Sequence, residues 1–280
     1  MPLEGAFPEP FPPDWAQGFG EDRYGVFVEL YMDTVEFRLR WIPPGTFLMG
    51  SPDDEPERIP SEGPQHRVTI SAGFWLMDTL VTQAQWEALM PDNPSRFPKD
   101  RNEAREALPV DSVTWHQAEQ YAVALRQQLP GVDCFLPSEA QWEYACRAGT
   151  ATPFHFGSSL AADQANFNGN FPYGGADPGP FRGKTTPVGS FGPNRWGLCD
   201  MHGNVWEWCR DGPREYQAGA FHDPVGPSEV SAKRCLRGGS WISYARYCRS
   251  AYRDALDPGF RFDRFGFRLA VGQAGGGADL

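Results

Sequence analysis

From residue 149 to residue 203 the chain is punctuated by Gly, Pro and Asn and follows neither a helical nor a strand period. A stretch of that length fits a compact domain only if something holds it in place. The whole chain carries 31 Gly and 27 Pro against 14% aromatic residues. That balance predicts one domain of ordered loops pinned by buried rings, with few long regular elements, in an α+β class. At 280 residues the chain is long enough to bury a sizeable core.

Regular elements are predicted where a period exists. Val26, Val28 and Leu30 alternate with polar residues, as do Phe37, Leu39 and Trp41, and Asp33-Thr34 between them suits a hairpin turn. Phe47 to Gly50 reads as a short strand. Thr82 caps a short helix bearing Trp86 and Leu89. Ser112 or Thr114 caps a second, with Ala118, Tyr121, Ala122 and Leu125 on one face. Ser138 and Gln141 form a capping box for a third, which turns Trp142, Ala145 and Cys146 inward. Residues 1–14 are a Pro-rich lead expected to pack poorly, residues 15–273 a single domain, and residues 274–280 a flexible tail.

The net charge of −11 argues against a nucleic-acid or anionic-membrane partner. The first residues lack the basic and apolar regions of a secretion signal, so a cytoplasmic protein is expected. Without secretion, the six cysteines (Cys134, Cys146, Cys199, Cys209, Cys235 and Cys248) are expected as buried thiols.

The last forty residues have two textures. Fixed-looking pieces (Arg237-Gly238-Gly239-Ser240-Trp241, Cys248-Arg249-Ser250-Ala251 and Gly266-Phe267-Arg268-Leu269) bracket aperiodic stretches of aromatics mixed with small polar groups. Tyr and Phe beside Ser and Asp are the makings of a binding surface, because such rings supply rigid contact area at low entropic cost. A loop-rich core edge is the alternative. Between Ile242 and Phe265 there is no Glu, Gln, Lys, Met or Trp, although the rest of the chain uses all five. Codons ending in C or T cannot encode those five residues.

Two segments offer oxygens to a cation. Asp200 and Glu207 flank a Gly-containing turn, with backbone carbonyls between them, and Asn166 and Asp177 lie in the preceding loop. Calcium takes such ligands. In the alternative reading, Asp200 and Glu207 bond backbone amides and an arginine.

Residues 42–50 (IPPGTFLMG), 136–145 (LPSEAQWEYA), 203–208 (GNVWEW), 237–241 (RGGSW) and 266–268 (GFR) occur in the order found in the sulfatase-modifying-factor superfamily, which they resemble. The resemblance implies the formylglycine-generating-enzyme variant of the C-type lectin fold. It further implies calcium held by the Asp200 and Glu207 side chains with the Gly203 and Val205 carbonyls, and by Asn166 with Phe167 at a second site. The enzymes of that family need two cysteines shortly after Gly-Gly-Ser to bind Cu(I). Here the second is Cys248, but Ser243 stands at the first, and a hydroxyl is a poor Cu(I) ligand. Copper is therefore not expected, and with only five scattered His (His66, His116, His155, His202 and His222) neither is iron. His202 and His222 could form an active-site pair, with a structural role the alternative for each.

The tail also resembles the variable proteins of diversity-generating retroelements, in which a cassette between Gly-Gly-Ser-Trp and Gly-Phe-Arg is rewritten at template adenines. Under that resemblance the varied, ligand-facing residues are Ile242, Ser243, Tyr244, Tyr247, Tyr252, Asp254, Ala255, Leu256, Asp257, Phe260, Phe262, Asp263 and Arg264, within a variable region of residues 237–270. Gly259 and Phe265 could arise by the same changes. Arg249 and Arg268 are expected to pair with carboxylates, and Trp241 to pack inward. The expected function is recognition of an unknown ligand, a protein in preference to a glycan or small molecule. A metal-dependent oxidative enzyme and a non-variable sensory or accessory module of the same fold are the alternatives.

Overall fold

The structure is a computed structural model that describes residues 7–97, 107–129, 131–229 and 232–272. The expected C-terminal tail and the first six residues of the lead lie outside the described residues.

The predicted hairpin forms from β2 (Gly25–Met32) and β3 (Val35–Ile42), in register from Met32 opposite Val35 to Phe27 opposite Arg40. Asp33 takes a φ of 53° in the two-residue turn, a conformation Asp tolerates better than most residues. Val28, Leu30, Phe37 and Leu39 all face the core. Added to this hairpin are β1 (Gly18–Asp22) on one side and β6 (Phe74–Met77) on the other. The C-terminal strand β13 (Ala270–Gly272) then inserts between β6 and β7 (Asp133–Phe135). The resulting six-stranded sheet runs β1-β2-β3-β6-β13-β7 and joins both ends of the chain. A three-stranded sheet pairs β4 (Gly45–Met49) with β5 (His66–Ile70), and β5 in parallel with β9 (Ala220–His222).

The lead behaves differently from expectation over its described part. Pro8 and Pro13 are buried, Phe11 stacks on Trp75 at 6.4 Å and Trp15 meets the same indole edge-on at 6.1 Å. Prolines carry no backbone N–H to satisfy, so a Pro-rich strap can cover apolar rings at little polar cost.

All three helices start at a capping box. Thr82, Thr114 and Ser138 accept from the amides of Gln85, Gln117 and Gln141, whose side chains reach back to the cap amides. These begin α1 (Gln83–Glu87), α2 (Trp115–Gln128) and α3 (Glu139–Arg147). Thr114, not Ser112, caps α2. On α2 the predicted face of Ala118, Tyr121, Ala122 and Leu125 is the buried one.

The long loop region is held by a small core of its own. Phe154, Leu160, Ala162, Ala165, Phe167 and Tyr173 pack together with Ala245 and Cys248 from the tail. All six cysteines are free thiols and five are buried.

Candidate functional site

The tail is an excursion between two strands of a four-stranded sheet ordered β11-β10-β8-β12. It leaves β10 (Arg234–Arg237), returns antiparallel to it as β11 (Asp254–Leu256) and ends in β12 (Phe265–Gly266). β8 (Trp206–Trp208) pairs with both β10 and β12, so it pins the two ends. The turn out of β10 uses Gly238 at φ 92° and Gly239 at φ 74°. A Cβ on Gly239 would stand 2.5 Å from Cys248 Sγ.

Within this excursion, burial separates the residues by type. Ile242, Tyr244, Phe260 and Phe262 are 37–52% exposed, and Asp254 and Asp257 are exposed too. Tyr247, Tyr252, Ala255, Leu256, Asp263 and Arg264 are half-buried. Between them Trp241, Ala245, Cys248, Arg249, Ser250, Ala251 and Arg253 are buried. Ser243 departs from the expected surface set: it is 8% exposed, accepts from the Ser240 amide at 3.0 Å and meets the Ser240 hydroxyl at 3.0 Å. Its hydroxyl holds the loop together and faces inward. Phe265 is likewise a core ring, edge-on to Trp208 at 5.4 Å.

The buried arginines tie the excursion down, and their carboxylate partners all lie earlier in the chain. Arg249 forks onto Glu62 at 2.6 and 2.8 Å and also meets Glu55 at 2.5 Å. Arg253 binds Glu139 through Nε at 2.7 Å and Nη2 at 2.5 Å. Arg237 pairs with Glu143, which also holds Arg147 at 2.9 Å. Burial pushes the Glu143 carboxyl up, but Arg147 and Arg237 outweigh it, and the group sits below its usual range.

The rings of the excursion form a row that runs from the surface to the buried Trp206. Tyr244 lies 6.0 Å from Tyr247, which meets Tyr252 edge-on at 5.0 Å, and Tyr252 lies 5.9 Å from Trp206. Arg246 covers Tyr247 at 4.6 Å. Phe262, 6.3 Å from Phe260, leans on Phe265 at 5.2 Å, with Arg264 over its face at 4.6 Å.

Two further residues border this surface and sequence reasoning missed them. Phe171, 46% exposed, stacks on Tyr244, and Phe181, 41% exposed, stacks on Trp241 at 6.2 Å. Their loop is fastened to the excursion by hydrogen bonds in both directions: the Asn168 amide donates to the Ser243 carbonyl, and the Ala245 amide to Phe171. An aromatic residue in a Gly-rich loop was the available signal, but its partner lies about seventy residues away.

The two implied calcium sets fare differently. Both oxygens of Glu207 are taken by Arg268, through Nε at 2.7 Å and Nη2 at 3.0 Å. Asp200 accepts from the Gly189 amide at 2.7 Å, and burial raises its carboxyl to about 6. The Gly203 and Val205 carbonyls accept no backbone hydrogen bond among the described residues. The set therefore keeps oxygens that fit a calcium ion, with Glu207 sharing its carboxylate with Arg268. At the other set, Asn166 is 1% exposed and its Oδ1 has no hydrogen-bond partner, the state of an acceptor awaiting a cation or a donor. Phe167 beside it is fully buried, while Asp177 is exposed. Among the described residues, no three His, Cys, Asp or Glu side chains converge as a metal cluster.

The histidines are placed apart in role. His202 is buried, with Nδ1 donating to the Cys248 carbonyl at 2.7 Å and Nε2 accepting from the His155 amide at 3.2 Å. Those partners fix one neutral tautomer, and burial holds its pKa well below the usual value. His222 is exposed on β9. Burial also pushes the Cys248 thiol well up, away from the thiolate a soft metal needs.

A family model for the sulfatase-modifying factor enzyme 1-like domain matches residues 36–273. The formylglycine-generating enzyme of Thermomonospora curvata is 30% identical over 222 residues, covering 72% of this chain and 69% of that enzyme. The serine/threonine-protein kinase pkn1 of Chlamydia caviae is 38% identical over 169 residues, 59% of this chain, which spans only 24% of the kinase. Among solved structures, Treponema denticola variable protein 1 superposes with a TM-score of 0.75 at 28% identity, over 87% of this chain and 98% of that one. Among the described residues no helix is long and apolar enough to cross a membrane. On these grounds the chain belongs to the sulfatase-modifying-factor family, with the formylglycine-generating-enzyme type of C-type lectin fold.

Proposed function

We propose that the chain is a ligand-binding protein whose cassette between Gly238-Gly239-Ser240-Trp241 and Gly266-Phe267-Arg268 is rewritten by retroelement mutagenesis. The observation that carries this reading is the division of the tail: twelve of the thirteen residues expected to vary are exposed or half-buried, while fixed-looking residues between them are buried and ion-paired. Such an arrangement lets side chains change without altering the core. The fold-level likeness to a protein named as variable supports it. Rings flanked by Arg and Asp suit a protein partner, met in the cytoplasm, with Tyr244, Tyr247, Tyr252, Phe260 and Phe262 as anchors and Asp254, Asp263 and Arg264 setting specificity.

The test is the DNA downstream of the gene. A near-copy of the last hundred or so bases that differs only at adenines, followed by a reverse transcriptase, is the expected result. Absence of any such copy within the surrounding locus would remove the diversification.

Oxidative catalysis of the formylglycine-generating kind is the second reading, favoured by the enzyme relative. Ser243 at the first thiol position and the buried Cys248 weigh against it. Oxygen consumption by the copper-loaded chain with a cysteine-containing peptide would decide for the enzyme.

A further inference from the structure

Phe171 and Phe181 stand outside the cassette, yet each shows a ring to solvent beside it, 46% and 41% exposed. Their loop is held to the excursion in a way that rewriting side chains does not disturb. The Asn168 amide donates to the Ser243 carbonyl at 2.8 Å, and the Ala245 amide to the Phe171 carbonyl at 3.1 Å. Any residue at 243 supplies the first bond, and any but proline at 245 supplies the second. Within the loop, the Phe171 amide donates to Asn168 at 3.0 Å and Gly179 to Gly169 at 2.8 Å, and Asn168 forms an antiparallel bridge with Phe181. Phe181 also stacks on Trp241, a fixed residue that meets Phe97 edge-on at 5.4 Å and donates from Nε1 to the Asp263 carbonyl at 3.0 Å. Both rings are thus set in place before any partner arrives.

We infer that Phe171 and Phe181 are constant anchors of the recognition surface: every protein ligand covers them, while the cassette decides which ligand that is. Such a role presupposes that the tail is a recognition surface. Exposed rings standing singly need no explanation, but these two continue the row at Tyr244 and the floor at Trp241. The apolar face therefore runs unbroken across the boundary of the cassette. An open face of this kind fits the apolar patch of a folded protein, whereas a small molecule needs a concave site. Arg96, largely exposed, pairs with Asp263 at 3.3 Å and gives the face a charged rim. A rigid ring loses little side-chain freedom on binding, and a ring on a fastened loop loses less still. Rewriting the cassette then exchanges specificity while part of the contact area is kept.

The test uses the full chain, displayed on cells with the twelve outward cassette positions randomised and selected for binding to lysozyme as a defined protein probe. Each binder is then purified with both rings intact and with Phe171→Ser and Phe181→Ser together. Further samples carry p-benzoylphenylalanine at 171, at 181 or, as a control, in place of Phe19 on the outer strand β1. The serine pair is expected to lose about tenfold or more in affinity whatever the cassette sequence, with unfolding still cooperative. The photoreactive ring is expected to crosslink lysozyme from 171 and from 181 but not from 19. Unchanged affinity in the serine pair would make the rings bystanders, and a loss without a crosslink would make them supports of the cassette. Either result overturns the anchors and leaves recognition by the tail intact. A library that yields no binder removes the recognition reading itself, and the anchors with it. Should the serine pair not fold, the crosslinks decide alone.

Discussion

Phe171 stacks on Tyr244 with ring centroids 4.0 Å apart and planes 30° from parallel. One ring belongs to the loop region and the other to the excursion, so the pair couples two parts of the surface. Phe171→Ala and Tyr244→Ala are each expected to cost about 1 kcal/mol, because both rings are partly exposed. The double variant should cost less than the sum, by about 0.5–1.5 kcal/mol in a denaturant cycle. Full additivity would mean that the stack contributes nothing.

Tyr247→Ala with Phe262→Ala should leave unfolding cooperative and cost at most about 2 kcal/mol, since both side chains keep a solvent-facing side. Phe265→Ala, at 3% exposure between Trp208 and Phe262, should cost about 3–5 kcal/mol. Urea midpoints measure the difference. Equal costs would make Tyr247 and Phe262 core residues and remove them from the binding surface.

Arg249→Met should be among the most destabilising changes in the tail. It leaves Glu55 and Glu62 buried without their cation, a loss of about 3–5 kcal/mol. Adding Glu55→Gln and Glu62→Gln to it should recover part of that loss, as judged by chemical denaturation. No recovery would show that the packing of Arg249 matters more than its charge.

Burial raises the carboxyl of Asp111 to about 6, against the amides of Arg96 and Phe97 and the Ser112 hydroxyl, with Asp263 adding to the rise. A carboxyl raised on folding stabilises the native state most below its unfolded pKa and loses that contribution as pH climbs through the folded value. The wild type should therefore lose roughly 2–3 kcal/mol from this group between about pH 4 and pH 6. Asp111→Asn should lack that slope, whatever constant cost it adds. Parallel stability curves for the two proteins across that range would refute the assignment.

What could be anticipated from sequence were features set by neighbours in the chain. The boxes at Thr82, Thr114 and Ser138 depend on a Gln three residues on, and the β2–β3 hairpin on alternation around Asp33-Thr34. The order of the family motifs carried the fold. Features made by distant contacts were hidden. Nothing in the lead announced that Phe11 would find Trp75, or that β13 would divide β6 from β7. Ser243 looked like a surface residue because a small polar side chain serves equally in a turn, and only its contact with Ser240 separates the two roles. Glu207 gave no sign of Arg268, 61 residues on, since a carboxylate does not state which cations it faces.

The excursion carries its arginines but not their acids. Glu55, Glu62, Glu139 and Glu143 stand 94 to 194 residues upstream of the guanidiniums they hold. The segment is therefore not a portable module. Grafted onto an unrelated scaffold it would arrive with unneutralised buried charge, whereas a foreign loop installed here would need only to keep Arg237, Arg249 and Arg253 in step with this host. For protein engineering, the reusable part is the body, and the tail is what should be exchanged.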